Sequence, residues 1–459
     1  MDGPEPNEPG DWRTESDLLG EGAVPQDALY GLQTSRAIDN FPISGRTIGS
    51  LACLMRNLAR VKKAAALTNC RIGELDADVA EAIVRACDEV VDGLHQDQFR
   101  VDILQGGAGT STNMNMNEVI ANRALELLGH RLGDYDRIHP NDHVNRNQST
   151  NDAYATAVRL AVFESNLTLI GSIERLAAIC RKKASEFVGV WKLARTELQD
   201  AVPMAAEQEF LAFAVALEED AVRGREIGDF FLEVNLGGTA VGSGAGASPA
   251  YREAVLDELR TTSNLPVIPA VNLYEASWDM GAFVLYSGFL KRLAGKVSKI
   301  CNDLRLLSSG PRGGLGEIVL PARQAGSSIM PGKVNPVIPE AVNQIAYRVF
   351  GLDLTVTFAA EAGQLQLNAF TPVIASSIDE AVSLLIAGMD ILAEHCVAGI
   401  EIDRKHCAVT LEGSLANAVD LVPVVGYKAA GKIAKDAMVT GCSLENAYGH
   451  WQNEQANGL

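Results

Sequence analysis

From Ile48 onward, apolar and polar positions follow a helical rhythm. Leu51, Leu54, Leu58, Val61 and Ala65 recur three and four residues apart, the stripe of an amphipathic helix. Asp76 to Leu94 repeats the pattern, with Val79, Ile83, Ala86, Val90 and Val91 as its apolar face. A polar, Gly-rich passage from Gln105 to Asn117 leads into another helical stretch that ends at Leu128. A second polar passage runs from Ile138 to Asp152. Beyond it, Ala153–Lys183, Met204–Glu233, Ser277–Leu307 and Pro336–Phe358 sustain helical periodicity with few prolines, well past the mean helix of about 11–12 residues. Helices of that length side by side predict a long bundle. Apolar residues on more than one face predict burial on several sides, and hence an oligomer. There is no strand–helix alternation of the kind that builds a doubly wound sheet. The expectation is a mostly α fold. After Gly399 the pattern shortens, which predicts a small C-terminal helical domain.

The segment Met1 to Trp12 is rich in Pro, Gly and acid, and reads as a mobile tail to about Arg13. It has neither the basic nor the apolar region of a signal peptide. Arg13 to Asn40 reads as loops with short elements. The 459 residues are 47% hydrophobic and 21% charged, enough to bury a large core and too apolar for wholesale disorder. A net charge of −19 argues against a broad surface for nucleic acid or an anionic membrane. It leaves room for a local anion pocket in a cleft. None of the eight cysteines pairs at CxxC spacing, which excludes a zinc ribbon or a thioredoxin motif and fits a reducing cytosol. The most apolar stretches, such as Ala381 to Leu392, are broken by charge too soon to span a bilayer. The expectation is a soluble, cytoplasmic protein.

Four polar passages interrupt the helical pattern. They are Gly106 to Asn113, His139 to Asp152, Arg195 to Asp200 and Gly326 to Pro336. Each offers hydroxyls, amides or a cation, the groups that grip a small polyanion. Taken singly, a pair such as Ser149-Thr150 before a helix reads as an N-cap. Four such passages in one chain point to a shared site, because buried hydroxyls and amides need partners.

Sharper motifs fail on spacing. In Gly326 to Lys333 five residues separate the glycines and Val334 follows the lysine, so the hydroxyl that a phosphate loop uses to hold magnesium is missing. His139 and His143 have the spacing of a helical zinc pair, but Pro140 interrupts the helix and no third ligand is evident. They read as hydrogen-bonding or surface histidines, and no metal is expected. Gly242-Ser243-Gly244-Ala245-Gly246 lacks the spacing and the preceding strand of a dinucleotide fingerprint.

The run GSSIMPGKVNP, Gly326 to Pro336, resembles the signature of the aspartase/fumarase superfamily. Three further runs match in the same order: GAGTSTNMNMNEVIANRA from Gly107, HPNDHVNRNQSTND from His139 and TELQDAVPM from Thr196. The resemblance extends from about Arg13 to about Gly441. Leu18-Leu19-Gly20, Leu29-Tyr30-Gly31, Leu198 to Pro203 and Ala360 to Asn368 resemble the ammonia-lyase branch rather than the hydratases. The resemblance implies a three-domain subunit, here divided at 1–148, 149–400 and 401–459. It also implies a homotetramer whose central helices pack into one bundle and whose active sites draw on three subunits. The implied reaction is anti-elimination of ammonia from L-aspartate to give fumarate, without a redox cofactor. Ser327 matches the base on a mobile loop. Lys333 and Asn335 match the grip on the α-carboxylate of this dicarboxylate substrate. Thr110, Ser149, Thr150, Thr196 and Ser328 match the remaining substrate contacts, with Asn151 a helper at the amino group.

The residue types suit that chemistry. The β-proton of aspartate is weakly acidic, so its removal requires charge to move onto the β-carboxylate as an aci-carboxylate, which preorganised hydroxyls stabilise. A Gly-rich loop with inward N–H groups and the cation Lys333 lowers the pKa of a serine base. Its glycines let it close as a lid. Where the family commonly carries His or Gln after the Thr of the third run, this chain has Glu197, whose side chain is expected near the pocket and facing the substrate amine. Met204-Ala205-Ala206-Glu207 and Glu445 to Leu459 also depart from the family pattern. Two other functions compete: a fumarate hydratase-like or other amino-acid lyase, and a non-catalytic helical oligomer. Retention of Ser327, Lys333, Asn335 and Thr110 argues against the last.

Overall fold

A computed structural model describes Trp12 to Asn457. The tail before Trp12, with the mobility and leader expectations attached to it, lies outside the described residues. Trp12 and Arg13 do not belong to a tail. They open a hairpin of β1 (Trp12–Asp17) and β2 (Gly20–Pro25), and Arg13 is buried, donating to the carbonyls of Pro25, Gln26, Ala28 and Tyr30. A guanidinium has enough donors to satisfy a whole turn of backbone, and that gain overrides the disorder-prone composition just before it.

The chain is mostly helical. After the hairpin come α1 (Leu32–Asn40), α2 (Ala52–Arg71), α3 (Ala77–Val91), α4 (Thr110–Leu127) and α5 (Thr150–Glu186). A second hairpin, β3 (Trp191–Thr196) and β4 (Gln199–Ala205), precedes α6 (Ala206–Gly228). Then follow β5 (Glu233–Val234), α7 (Pro249–Ser263), β6 (Ile268–Pro269), α8 (Gly281–Leu307), β7 (Ile318–Val319), α9 (Val337–Glu361), α10 (Thr371–His395) and β8 (Glu401–Ile402). The chain closes with α11 (Arg404–Glu412), α12 (Ala418–Val425), α13 (Tyr427–Thr440) and α14 (Leu444–Asn457). Among the described residues the strands pair only two by two. The four long helices expected from periodicity are present. The second begins later than expected, because Met204 and Ala205 close the second hairpin before α6 starts.

The chain forms two compact units. One takes the chain to Ile170, Val222–Arg292 and Arg348–Leu384; the other takes Gly171–Ala221, Leu293–Tyr347 and Leu385–Leu459. In the first unit the predicted stripe of α2 is buried, but so are Asn57, Lys62, Thr68 and Asn69, so α2 is enclosed on several sides. α4 is polar in sequence and buried along most of its length. Its Glu118 accepts from the backbone N–H of Gly31, Gln33 and Thr34 and from the Thr34 hydroxyl, meeting orphan donors at the start of α1. Burial pushes the Glu118 carboxyl up to about 7 against those bonds.

In the second unit, Ile433, Ala437 and Ala447 of α13 and α14 form a small core with Leu415, Leu421, Val425, Leu444, Tyr448 and Trp451 around it. All eight cysteines are free. The expectation that no apolar stretch is long enough to cross a membrane needs correction. The helical stretch Thr371–Gly399, which contains Ala381 to Leu392, reaches that length and apolarity, with half of the window buried inside the protein. Its charged side chains fall in two groups, Asp379 with Glu380 and Asp390 with Glu394, which leaves most of the rest of the stretch apolar.

Candidate active site

The first unit gathers four of the expected residues at two helix N-termini. Gly107, Ala108 and Gly109 are all left-handed, and this turn starts α4 at Thr110. A Cβ on Gly109 would lie 2.5 Å from the Tyr154 ring, so glycine is required both by space and by its φ of 90°. Thr110 is exposed, and its hydroxyl donates to the Gly107 carbonyl at 2.7 Å. Ser149 precedes α5 as the N-cap reading expects: its Oγ accepts from the Asn151 N–H at 3.2 Å. Asp152 answers by accepting from the Ser149 N–H at 2.9 Å, a capping box with aspartate as the returning group.

Asp152 is fully buried and also accepts from the backbone N–H of Ala153, Gly237 and Thr239. Burial pushes its carboxyl up, while these bonds pull it down. Asn151 is partly committed, donating to the Ala240 carbonyl at 2.7 Å.

Asn113, one turn into α4, joins the two helix starts. It donates to the Thr150 hydroxyl and to Asn145 Oδ1, both at 3.1 Å. Asn145 Oδ1 also accepts from Lys62 Nζ at 2.8 Å, and Lys62 reaches Gln148 Oε1 at 3.0 Å. Burial lowers Lys62 to about 7, against the pull of Asp152 and Cys87. Sequence reading missed Lys62 and Asn113. The available signal was the position of Lys62, four residues after Leu58 and three before Ala65, which sets a charge on the apolar stripe of the helix.

His139 and His143 are hydrogen-bonding residues, as expected. His139 Nδ1 accepts from the N–H of Asn141 and Asp142 at the start of a short π-helical turn, Pro140–Val144, and His143 Nδ1 accepts from the His139 N–H. No group of three or more His, Cys, Asp and Glu gathers to hold a metal among the described residues.

The second unit carries the rest. Thr196 ends β3, and Glu197 and Leu198 form a two-residue turn with φ of 54° and 64°. Both conformations are left-handed, the geometry a tight hairpin needs and one usually filled by Asn, Asp or Gly. Thr196, Glu197 and Leu198 are exposed, and Glu197 makes no ion pair among the described residues. Its carboxylate is thus not consumed by a structural partner.

Ser327 lies in a closed loop. Gly326 donates its N–H to the Lys333 carbonyl at 2.8 Å, and Asn335 Nδ2 donates to the Gly326 carbonyl at 2.9 Å. A Cβ on Gly326 would stand 2.7 Å from that Lys333 oxygen. Ser327 Oγ accepts from the N–H of Ile329 at 3.2 Å and of Met330 at 2.9 Å. Two N–H groups converging on one oxygen favour its anionic form. Ser328 and Lys333 are exposed, while Asn335 is half-buried and gives one of its two amide N–H groups to the loop.

Helix starts that present hydroxyls, and a loop whose N–H groups polarise a serine, offer donors for a small polyanion and a candidate base. A family model described as lyase matches residues 20–351. An aspartate ammonia-lyase from Pseudomonas aeruginosa is 53% identical over 430 residues, 94% of this chain and 91% of that protein. One from Escherichia coli is 49% identical over 437 residues, with the same coverage of both. The crystal structure of a fumarate lyase:delta crystallin from Brucella melitensis bound to cobalt superposes with a TM-score of 0.93 at 55% identity, over 95% of each chain. A class II fumarase from Schistosoma mansoni gives 0.90 at 34% identity, over 95% of this chain and 94% of that one. The chain belongs to the aspartase/fumarase superfamily.

Proposed function

We propose that the protein is an aspartate ammonia-lyase, converting L-aspartate to fumarate and ammonia. The observation that carries the reading is Ser327 Oγ, which accepts two backbone N–H groups in a loop shared with Lys333 and Asn335. The Pseudomonas aeruginosa and Escherichia coli relatives at about half identity, both aspartate ammonia-lyases, support the substrate.

In this mechanism Ser327, as the alkoxide, takes the proton from Cβ of the substrate. The electron pair moves into the β-carboxylate, which becomes an aci-carboxylate bearing two negative charges. Thr110, Ser149, Thr150 and Ser328 donate hydroxyl protons to those oxygens, where preorganised donors outperform water. The pair then returns to form the Cα–Cβ double bond, the C–N bond breaks and ammonia leaves. Ser327 releases its proton before the next turnover. Lys333 and Asn335 hold the α-carboxylate, Thr196 lines the site, and Asn151 and Glu197 face the amino group. The network from Lys62 through Asn145 and Asn113 sets the Thr150 hydroxyl from behind.

The working form is a cytoplasmic homotetramer of three-domain subunits, 1–148, 149–400 and 401–459, with each site completed by neighbouring subunits. Exposed Tyr347, Phe350, Leu354 and Phe358 on one face of α9 support the assembly. The test is to supply L-aspartate, L-malate and other amino acids separately and follow fumarate or its analogues in the ultraviolet. Fumarate from L-aspartate, with little turnover of L-malate, is expected. Malate turnover with aspartate inert refutes the reading and favours a hydratase.

A further inference from the structure

We infer that Glu317 is a positioning residue for the β3–β4 hairpin, holding through Arg195 the tip that carries Thr196 and Glu197. The inference rests on the proposed reading of that tip as part of the aspartate site.

The hairpin needs an outside support. Its ladder pairs Leu193 with Pro203 and then Arg195 with Asp200, so a two-residue step on β3 faces a three-residue step on β4. Such a bulge bends the ribbon and frees the direction of everything beyond it. The tip adds strain, because Glu197 and Leu198 both hold left-handed backbone without being glycine. The ladder resumes beyond the step with Arg195 opposite Asp200 and Thr196 opposite Gln199, so where Thr196 points depends on how the bend below them is held.

Glu317 spans that irregular step. It is fully buried, and its two carboxylate oxygens face cations on opposite sides of the bulge. Oε2 lies 2.8 Å from Lys192 Nζ, below the step, and Oε1 accepts from Arg195 Nη1 at 2.5 Å, above it. Lys192 is itself held by Glu209 at 2.8 Å. Glu317 cannot drift to follow the hairpin. Its N–H donates to the Leu307 carbonyl and its carbonyl accepts from the Asp403 N–H, each at 2.9 Å. It also sits one residue before β7, and the chain from β7 runs directly into the loop of Ser327. One residue therefore braces the hairpin tip through its carboxylate and anchors the chain that leads to the loop through its backbone. A buried ion cluster stabilises poorly compared with apolar packing of the same volume, so registry is the role that suits it.

The test compares wild type, Glu317→Gln, Arg195→Gln and the double variant with L-aspartate, alongside their thermal midpoints. Each single change is expected to raise KM roughly tenfold or more, the worth of a charge-assisted contact, with kcat less affected. The double variant is expected to be no worse than the worse single one, because both act through one link. Arg195→Lys, which keeps a cation, is expected to recover part of the binding. Effects that multiply in the double variant, or a lowered midpoint with a normal KM, overturn the inference. If Glu317→Gln does not fold, Arg195→Gln leaves the Lys192 contact in place and decides alone: an unchanged KM overturns it. A wild type inert toward L-aspartate refutes the functional reading instead, and the same comparison then runs on whichever supplied substrate the wild type consumes.

Discussion

Replacing Lys62 with methionine should change how stability depends on pH. Lys62 is fully buried in α2, with its ammonium on two amide oxygens, those of Asn145 and Gln148, and no carboxylate in direct contact among the described residues. Burial brings its pKa from 10.5 down to about 7, with Asp152 and Cys87 pulling the other way. The folded value lies below the unfolded one, so between about pH 7 and 10.5 the unfolded chain holds the extra proton. In that window stability rises with pH by about 1.4 kcal/mol per unit, for a total of about 5 kcal/mol. Below about pH 7 both states are protonated and the burden is full and constant. Lys62→Met removes this titration. It also leaves the Gln148 amide oxygen without a donor, an offset of about 1–3 kcal/mol that does not change with pH, while Asn145 Oδ1 keeps its bond from Asn113. The assay is denaturant unfolding of both proteins at one protomer concentration, at several values between about pH 7.5 and 9.5. Wild-type stability minus that of the variant should grow by about 1.4 kcal/mol per unit across the range. Parallel curves would show that Lys62 does not change its proton on unfolding there, and would refute the reasoning.

Three further outcomes are expected. Ser327→Ala should lose about 10²–10⁴ of turnover with fold and assembly unchanged, measured by fumarate formation and gel filtration; near-normal rates would send the proton elsewhere. Glu197→Gln should raise KM for L-aspartate more than it lowers kcat, the pattern of lost uniform binding, in steady-state kinetics from about pH 6 to 9. An unchanged or lower KM would remove Glu197 from the amine. Gly109→Ala should cost about 2–4 kcal/mol, because its Cβ meets the Tyr154 ring at 2.5 Å in a left-handed backbone; a thermal midpoint close to wild type would contradict the fit.

The long helices were legible because their signal is local. A stripe such as Leu54, Leu58, Val61 and Ala65 needs only the helical period to be read. The hairpins were not. β3 and β4 sit beside a long helical run, and Met204 and Ala205 carry no local mark that separates them from α6. Their turn hides as well, since Glu197-Leu198 lacks the Asn or Gly that announces a two-residue hairpin. The N-terminal hairpin was masked by the composition before it, although Arg13 finds four carbonyls once β2 comes alongside.

The sequence by itself determined the helical class, the family, and the hydroxyls, amides and cation of the proposed site, because each is written in residue type and spacing. It also determined that Ser149 caps α5, since an N-cap bond closes over a few residues. Only the tertiary structure decided which polar groups lose water. α4 is polar in sequence and is buried, Lys62 lies in a helix beside amides from far along the chain, and Glu317 meets Arg195 across 122 positions. Solvation and charge depend on what packs around a side chain. Those neighbours come from segments whose separation in sequence carries no record of their distance in space.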